Sequence, residues 1–243
     1  AIESSCDDTS ISVVNDQKNI DFLETINHRK FHQKHGGVIP EMAARQHLDI
    51  LNLFKTKINQ INFSGIDAIA STYGPGLIGG LIVGSSFAKG LSISQNKKLI
   101  PINHLQAHLL SPRLTNNIKF PYLCLLVSGG NTALVLVKNP SSFVTLGSTI
   151  DDSAGECFDK VAKALGLGYP GGPAIEKLAM KGDLKSFSLP MPLTKIKNCD
   201  FSFSGLKTAA IDVIKKNKNN KKFLYNFSAS FQYTVGEIFK KKI

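Results

Sequence analysis

The sequence predicts an α/β protein of two lobes, each raised on the same β-β-β-α unit, with the second unit truncated. Three observations predict it. Short apolar strand patterns alternate with longer helical ones through the first half of the chain. Three strand patterns and a helix then recur after Pro121, a weak internal repeat of about 120 residues. A polar turn follows the first strand of both copies, Cys6 to Thr9 in one and Ser128 to Asn131 in the other.

Each element has its own local reason. Ala1 to Val14 reads as strand, polar turn, strand; the chain begins without Met and already inside a strand, so residues are expected to precede it. Phe22 to Asn27 supplies a third strand. Pro40 suits the first turn of a helix, and Met42 to Ile58 carries apolar residues at helical spacing. Ile66 to Thr72 is a buried-strand pattern that ends in Tyr73-Gly74-Pro75-Gly76 and opens a glycine-rich helix from Leu77 to Ser94. Those glycines fit close packing on a sheet or a ligand at the helix N-terminus. Leu99 to Ile102 is the fifth strand, giving β-β-β-α-β-α-β. After Pro121 the strands are Tyr122 to Ser128, Thr132 to Val137 and Val144 to Ile150, and the helix is Ala154 to Leu165. Helical stretches follow at Pro173 to Gly182, Gly205 to Lys216 and Lys221 to Lys242, and the last two strands of the repeat do not arrive. The lobes are expected at 1–115 and 116–243.

Composition limits the function classes. With 243 residues, 42% of them apolar, the chain can bury one large core or two. No apolar run reaches the ~20 residues of a membrane span, and Leu77 to Ala88 is broken by Gly79, Gly80 and Gly84. No signal peptide is expected, and Cys6, Cys124, Cys157 and Cys199 are too scattered for a zinc knuckle or a disulfide framework. A cytoplasmic compartment or a mitochondrial matrix fits. The net charge of +11 suits a nucleic-acid partner. Yet only Arg29, Arg45 and Arg113 are arginines, and the lysines cluster with asparagine at 215–222 and 240–242, a bias that an AT-rich genome also produces.

Two spacings carry chemistry. His104 and His108 open a helical pattern one turn apart, with Cβ atoms about 5–6 Å apart, the arrangement in which two imidazoles share one metal ion. Two partly exposed histidines look the same. Leu126-Val127-Ser128-Gly129-Gly130 interrupts a buried strand with glycines that let backbone N–H groups approach a phosphate, although a plain hairpin has the same pattern. Asp7 and Asp8 in the first turn suit cation binding or orientation of an amine, and equally a turn that needs neither. His28, His32 and His35 lie among Arg29, Lys30 and Lys34, which favours solvated side chains over a metal cluster. Glu41, Arg45 and His47 share a helix, and His47 is placed to line a cleft.

A duplicated β-β-β-α unit whose first hairpins face one cleft resembles the actin, heat-shock chaperone and sugar-kinase (ASKHA) superfamily of ribonuclease-H-like units. There a nucleotide sits between the lobes. Within it, eight motifs fall in order: Glu3-Ser4-Ser5-Cys6-Asp7-Asp8-Thr9, Gly36-Gly37-Val38-Ile39-Pro40-Glu41, Tyr73-Gly74-Pro75-Gly76-Leu77, His104-x3-His108, Leu126-Val127-Ser128-Gly129-Gly130, Gly155-Glu156-x-Phe158-Asp159-Lys160, Tyr169-Pro170-Gly171-Gly172-Pro173 and Phe201-Ser202-Phe203-Ser204-Gly205-Leu206-Lys207. Together they resemble the TsaD (Gcp) family, the catalytic subunit of tRNA N6-adenosine threonylcarbamoyltransferase. The resemblance implies transfer of threonylcarbamoyl from threonylcarbamoyl-AMP to N6 of adenosine 37, in tRNAs reading codons that begin with A.

The same resemblance implies one divalent metal, iron or zinc, on His104 and His108, with a third ligand, an aspartate near the C-terminus, that this sequence lacks. It also lacks the family's Gly-Gly-Val-x-x-Asn motif, and Gln106-Ala107 stands where Glu-Gly is usual. Substrate contacts carry over to Leu126, Val127, Ser128, Gly129, Gly130, Asp159, Gly172 and Glu176. Implied partners are tRNA, a catalytically silent paralogue of the same fold and a small P-loop ATPase, with no membrane. Asp159 suits ribose hydroxyls, or a plain helix surface. A metalloprotease is the first alternative, but Leu105 stands where a zincin needs its general-base glutamate. A non-catalytic partner subunit of the same fold is a second, and those generally lack the histidine pair. A small-molecule kinase is a third.

Overall fold

Strand pairing near the N-terminus sets the first half of the chain. The computed structural model describes residues 1–28, 31–32, 37–217 and 220–243, and the chain divides into two compact units, Ala1–Asn117 and Ile118–Ile243. In the first unit the elements are β1 (Ile2–Glu3), β2 (Asp8–Val14), β3 (Ile20–Asn27), α1 (Pro40–Ile58), a 3-10 turn at Phe63–Gly65, β4 (Ala68–Gly74), α2 (Ile78–Ser94), β5 (Lys98–Asn103), α3 (His104–Leu110) and α4 (Pro112–Thr115). They form one five-stranded sheet in the order β3-β2-β1-β4-β5. The β1–β2 and β2–β3 pairs are antiparallel, and β1–β4 and β4–β5 are parallel.

Helix α1 starts at Pro40, whose missing N–H costs nothing in a first turn. It buries Ala43, His47, Ile50, Leu51, Phe54 and Ile58, a stripe at three- and four-residue steps. Phe54, Leu51 and Ile50 close the core with Ile2, Ile11, Ile69 and Ala88. Helix α2 is held close by its glycines. A Cβ on Gly80 would strike the Ser4 carbonyl oxygen, one on Gly84 the Ser4 hydroxyl, and one on Gly79 would lie 2.8 Å from Ala44 Cβ on α1. Close packing therefore accounts for these glycines, and it presses the start of α2 onto the turn after β1.

The second unit contains β6 (Tyr122–Val127), β7 (Thr132–Asn139), β8 (Ser142–Ser148), α5 (Ala154–Ala164), α6 (Gly171–Ala179), α7 (Ser204–Lys216) and α8 (Lys221–Lys242). Its sheet has three strands in the order β6-β7-β8, all antiparallel. The outer edge of β6 has no strand partner among the described residues. The core is aromatic: Phe201, Phe203, Phe227 and Phe231 are fully buried with Val161, Ile175 and Leu206. Asp151 fixes the Phe-Ser-Phe-Ser-Gly segment by accepting from Phe203 N–H (2.8 Å), Ser204 N–H (3.2 Å) and the Ser202 hydroxyl (2.5 Å). Beside it, Asp152 pairs with Lys160 at 3.0 Å and Lys207 at 2.6 Å. Of the basic C-terminal cluster, Lys242 is buried and donates to the carbonyls of Ile196 and Asn198.

Candidate metal and substrate sites

Helix α3 begins where β5 ends. Asn103 caps it by accepting from Gln106 N–H at 3.1 Å, so His104 occupies the first turn and His108 the next. Their rings meet edge to face, 4.6 Å between centroids, with the two Nε2 atoms 3.2 Å apart. Two nitrogens each ~2.1 Å from one ion, at an angle of roughly 100°, would be separated by about this distance. Burial lowers the pKa of His108, and the neighbouring His104 adds to that, so its ring is neutral and open to a cation near pH 7. Among the described residues no set of three or more His, Cys, Asp or Glu side chains is grouped to hold a metal. The pair thus fits two ligands of an ion.

Behind His104 stands Glu3, at the end of β1. Its Oε2 lies 3.3 Å from His104 Nδ1 and accepts from the Thr72 hydroxyl of β4, while Oε1 accepts from Ser5 N–H at 2.5 Å. Ser5 Oγ is 3.1 Å from the same histidine nitrogen. Burial alone would raise the Glu3 pKa, but the bonds from His104, Ser5 and Thr72 outweigh it and hold it at about 2. Glu3 and Ser5 stand in the first of the sequence motifs, but their spacing assigns them no role. The one signal available was an ionisable residue in an otherwise apolar strand.

The other histidines require a correction. His28 and His32 are fully buried, and so is His47, whereas their basic neighbours favour solvated side chains and His47 is expected to line a cleft. For His28 and His47 the reason is Thr9, whose side chain enters the same interior as Ile11 in the alternation of β2. Thr9 Oγ1 is 2.9 Å from His28 Nε2 and 2.8 Å from His47 Nδ1, and His47 Nε2 reaches the Cys6 carbonyl at 3.1 Å. One proton order satisfies this chain: His28 Nε2–H donates to Thr9, Thr9 O–H to His47 Nδ1, and His47 Nε2–H to Cys6. His32 Nδ1 accepts from Ile39 N–H at 3.3 Å, which leaves the proton on Nε2 and removes that nitrogen from metal binding. Burial, reinforced by His47 and His32, lowers the His28 pKa to about 4. His35 and Gly36 of the sequence motifs, and Lys218 and Asn219 of the basic run, lie outside the described residues. Glu41 and Arg45 form an exposed pair at 2.7 Å.

Asp7 and Asp8 follow at the turn into β2, both partly buried. The Cys6 residue is exposed, yet partial burial of its sulfur and the carboxylates of Asp7, Asp8 and Glu3 push the thiol up to about 12, so it offers no thiolate.

In the second unit the equivalent turn is bare backbone. Ser128 N–H donates to the Asn131 carbonyl (2.8 Å) and Asn131 N–H to Ser128 Oγ (3.0 Å). Gly129 and Gly130 are exposed, and a Cβ on either would meet nothing within 4 Å. Helix α5 begins directly behind this turn: a Cβ on Gly155 would lie 2.5 Å from the Ser128 carbonyl oxygen. Its cap Ser153 accepts from Glu156 N–H (3.1 Å) and donates to the Gly129 carbonyl (2.6 Å). Open backbone against a helix N-terminus favours an anion. Leu126 is buried in β6 and Val127 is exposed at its end.

Further along α5, Asp159 Oδ1 accepts from Gly171 N–H at 2.7 Å and so caps α6 from outside. Gly172 has open space where a side chain would stand, and Glu176 is exposed one turn on. The second unit thus brings Ser128, Gly129, Asp159 and the start of α6 together along one helix.

A sheet ordered β3-β2-β1-β4-β5, and a second β-β-β-α unit with its own glycine turn, define a protein of the ASKHA class, built from ribonuclease-H-like units. The TsaD family, described as tRNA N6-adenosine threonylcarbamoyltransferase, matches residues 22–243. The chain belongs to that family. Relatives bearing the same description include one from Orientia tsutsugamushi (strain Boryong), 51% identical over 98% of this chain and 70% of its own length. Another, from Rickettsia rickettsii (strain Sheila Smith), is 48% identical over 100% of this chain and 72% of its own. Among solved structures, the Aquifex aeolicus PPX-GPPA enzyme overlaps 98% of this chain and 91% of its own at 12% identity, with a TM-score of 0.43.

Proposed function

We propose that the chain transfers the threonylcarbamoyl group of threonylcarbamoyl-AMP to N6 of adenosine 37 in tRNAs that read codons beginning with A. Family membership across residues 22–243 carries this conclusion. The donor is already an activated mixed anhydride, so the enzyme has three tasks: to position its carbonyl carbon against the amine, to stabilise the developing oxyanion and to hold the departing phosphate. The bond from that carbon to the phosphate oxygen breaks, the carbon–N6 bond forms, N6 gives up a proton and AMP leaves. The exocyclic amine carries no positive charge beforehand, so a strong general base is not demanded.

Backbone N–H groups of Gly129 and Gly130 would hold the phosphate, with Leu126 and Val127 fixing the strand that presents them and Ser128, whose own N–H donates to the Asn131 carbonyl, closing the turn. Asp159, its Oδ1 already set by Gly171 N–H, would accept from ribose hydroxyls. Gly172 gives the sugar or base room, and Glu176 stands beside it. His104 and His108 would hold one divalent metal, iron or zinc, which when bound supplies a Lewis acid to anchor or polarise the threonylcarbamoyl oxygens. Asp7 and Asp8 would orient the acceptor amine. The metalloprotease alternative gains nothing, because Leu105 follows His104.

The partners proposed are tRNA, a silent paralogue of the same fold and a small P-loop ATPase, and the compartment proposed is the cytoplasm. No helix among the described residues is long and apolar enough to cross a membrane. The test is incubation with tRNA and threonylcarbamoyl-AMP in the presence of those partners, followed by mass analysis of nucleosides. Modified adenosine at position 37 is expected; its absence, with hydrolysis of a protein substrate instead, would overturn the assignment.

A further inference from the structure

We infer that Glu3 is a positioning residue that makes His104 a metal ligand, by holding its imidazole in the Nδ1–H tautomer with Nε2 bare. The inference rests on the metal reading of the His104/His108 pair. It comes from hydrogen-bond accounting around one nitrogen. Glu3 accepts from Ser5 N–H at Oε1 (2.5 Å) and from the Thr72 hydroxyl at Oε2. Those donors, on the turn after β1 and on β4, fix the carboxylate to the sheet and not to helix α3. Its remaining approach is to His104 Nδ1, at 3.3 Å from Oε2.

A carboxylate that already accepts two bonds has only lone pairs to present, so the facing nitrogen must carry the hydrogen. The opposite tautomer would set a ring lone pair against a carboxylate lone pair. Ser5 Oγ, 3.1 Å from the same nitrogen, then serves as a second acceptor. With Nδ1 protonated, His104 Nε2 is left as a base, and it is that atom which faces His108 Nε2 at 3.2 Å. A histidine tethered through its outer nitrogen to a carboxylate is both oriented and made a stronger donor, and loss of such a partner typically weakens metal affinity about 10–100-fold. The sheet therefore sets this ligand across the fold, and the two-residue strand β1 acquires a function beyond pairing.

The experiment uses the 243-residue chain and zinc alone as probe. Calorimetric titration compares the unaltered protein with Glu3→Gln, Glu3→Asp and the double variant His104→Ala/His108→Ala, while nitrogen-15 NMR of the metal-free protein reads the His104 tautomer. The unaltered protein should show Nδ1–H at His104. Glu3→Gln should lose about 10–100-fold in zinc affinity and mix the tautomers. Glu3→Asp, which keeps the charge but withdraws it, should lose less. A merely structural role would lower the melting temperature and leave the tautomer untouched.

Equal zinc affinity and an unchanged tautomer in folded Glu3→Gln overturn the inference while leaving the metal reading intact. Should Glu3→Gln fail to fold, Nε2–H at His104 in the unaltered protein overturns it without any variant. Zinc binding that the double-histidine change does not alter overturns the metal reading and this inference together.

Discussion

The turn after the first strand occurs twice in this chain, and the two copies are furnished in opposite ways. In the first unit, Ser4 to Asp7 is surrounded by side chains that titrate or hydrogen-bond: Glu3, His104 and Thr72 on one side, Thr9, His28 and His47 on the other. Helix α2 closes over it through Gly80 and Gly84. In the second unit, Ser128 to Asn131 carries no titratable side chain and offers open backbone over Gly129 and Gly130. One β-β-β-α frame therefore yields a site of imidazole and carboxylate and a site of bare amides. The first is the proposed cation site, and the second the proposed phosphate site.

The largest effect expected from this contrast is on acid stability. The unfolded chain protonates His28 near its ordinary value of 6.5, while the folded chain does so only at about 4. The unfolded state thus binds more protons between those values, and stability falls as pH drops through that window. The loss is at most about 3 kcal/mol, complete below the lower value and absent above the upper. His47, lowered by burial, acts in the same direction. Denaturant unfolding from pH 7 to 4, monitored separately in each unit, should show the loss in the first, and His28→Gln should flatten it. A pH-independent first unit would remove the buried histidine chain from the account.

Next in size are the glycines. Gly84→Ala drives a methyl group into Ser4 and should cost about 1–3 kcal/mol by overpacking, read as a fall in melting temperature. Gly129→Ala meets open space and should change stability by under about 0.5 kcal/mol, yet weaken binding of the adenylate. Equal stability losses at both positions would erase the distinction between a closed turn and an open one.

Asp159→Ala should come third. It strips Gly171 N–H of its acceptor, a capping loss of about 1 kcal/mol, and lowers adenylate affinity as well. Asp159→Asn keeps an acceptor and should separate the two, with stability nearly restored and affinity still reduced. The smallest effect concerns strand edges: the amides of β6 that face away from β7 should exchange with solvent faster than those of β4, which has strands on both sides.

Much of the fold was legible because it follows local rules. Pro40 marks the start of α1, the strand, polar turn and strand of Ala1 to Val14 become β1 and β2, with Asp8 and Thr9 of the expected turn already in β2, and the glycines of α2 signal a close approach that the structure finds at Ser4. The His104/His108 spacing placed both rings on one helix face, since i and i+4 neighbours meet by helix geometry alone. Contacts between distant segments were not legible. Glu3 meets His104 across a hundred intervening residues through the parallel pairing of β1, β4 and β5. His28 is held by Thr9 and His32 by Ile39 N–H, partners that the local composition around residues 28–35 does not announce. The capping of α7 by Asp151 was hidden for the same reason, because nothing in the strand that precedes it announces a helix far downstream.

Metal content and threonylcarbamoyl transfer to tRNA are best assayed in parallel on the unaltered chain and on His104→Ala/His108→Ala. The double variant, still folded, should lose the bound metal and the transfer activity together. Undiminished transfer by a variant without both imidazoles would contradict the metal reading.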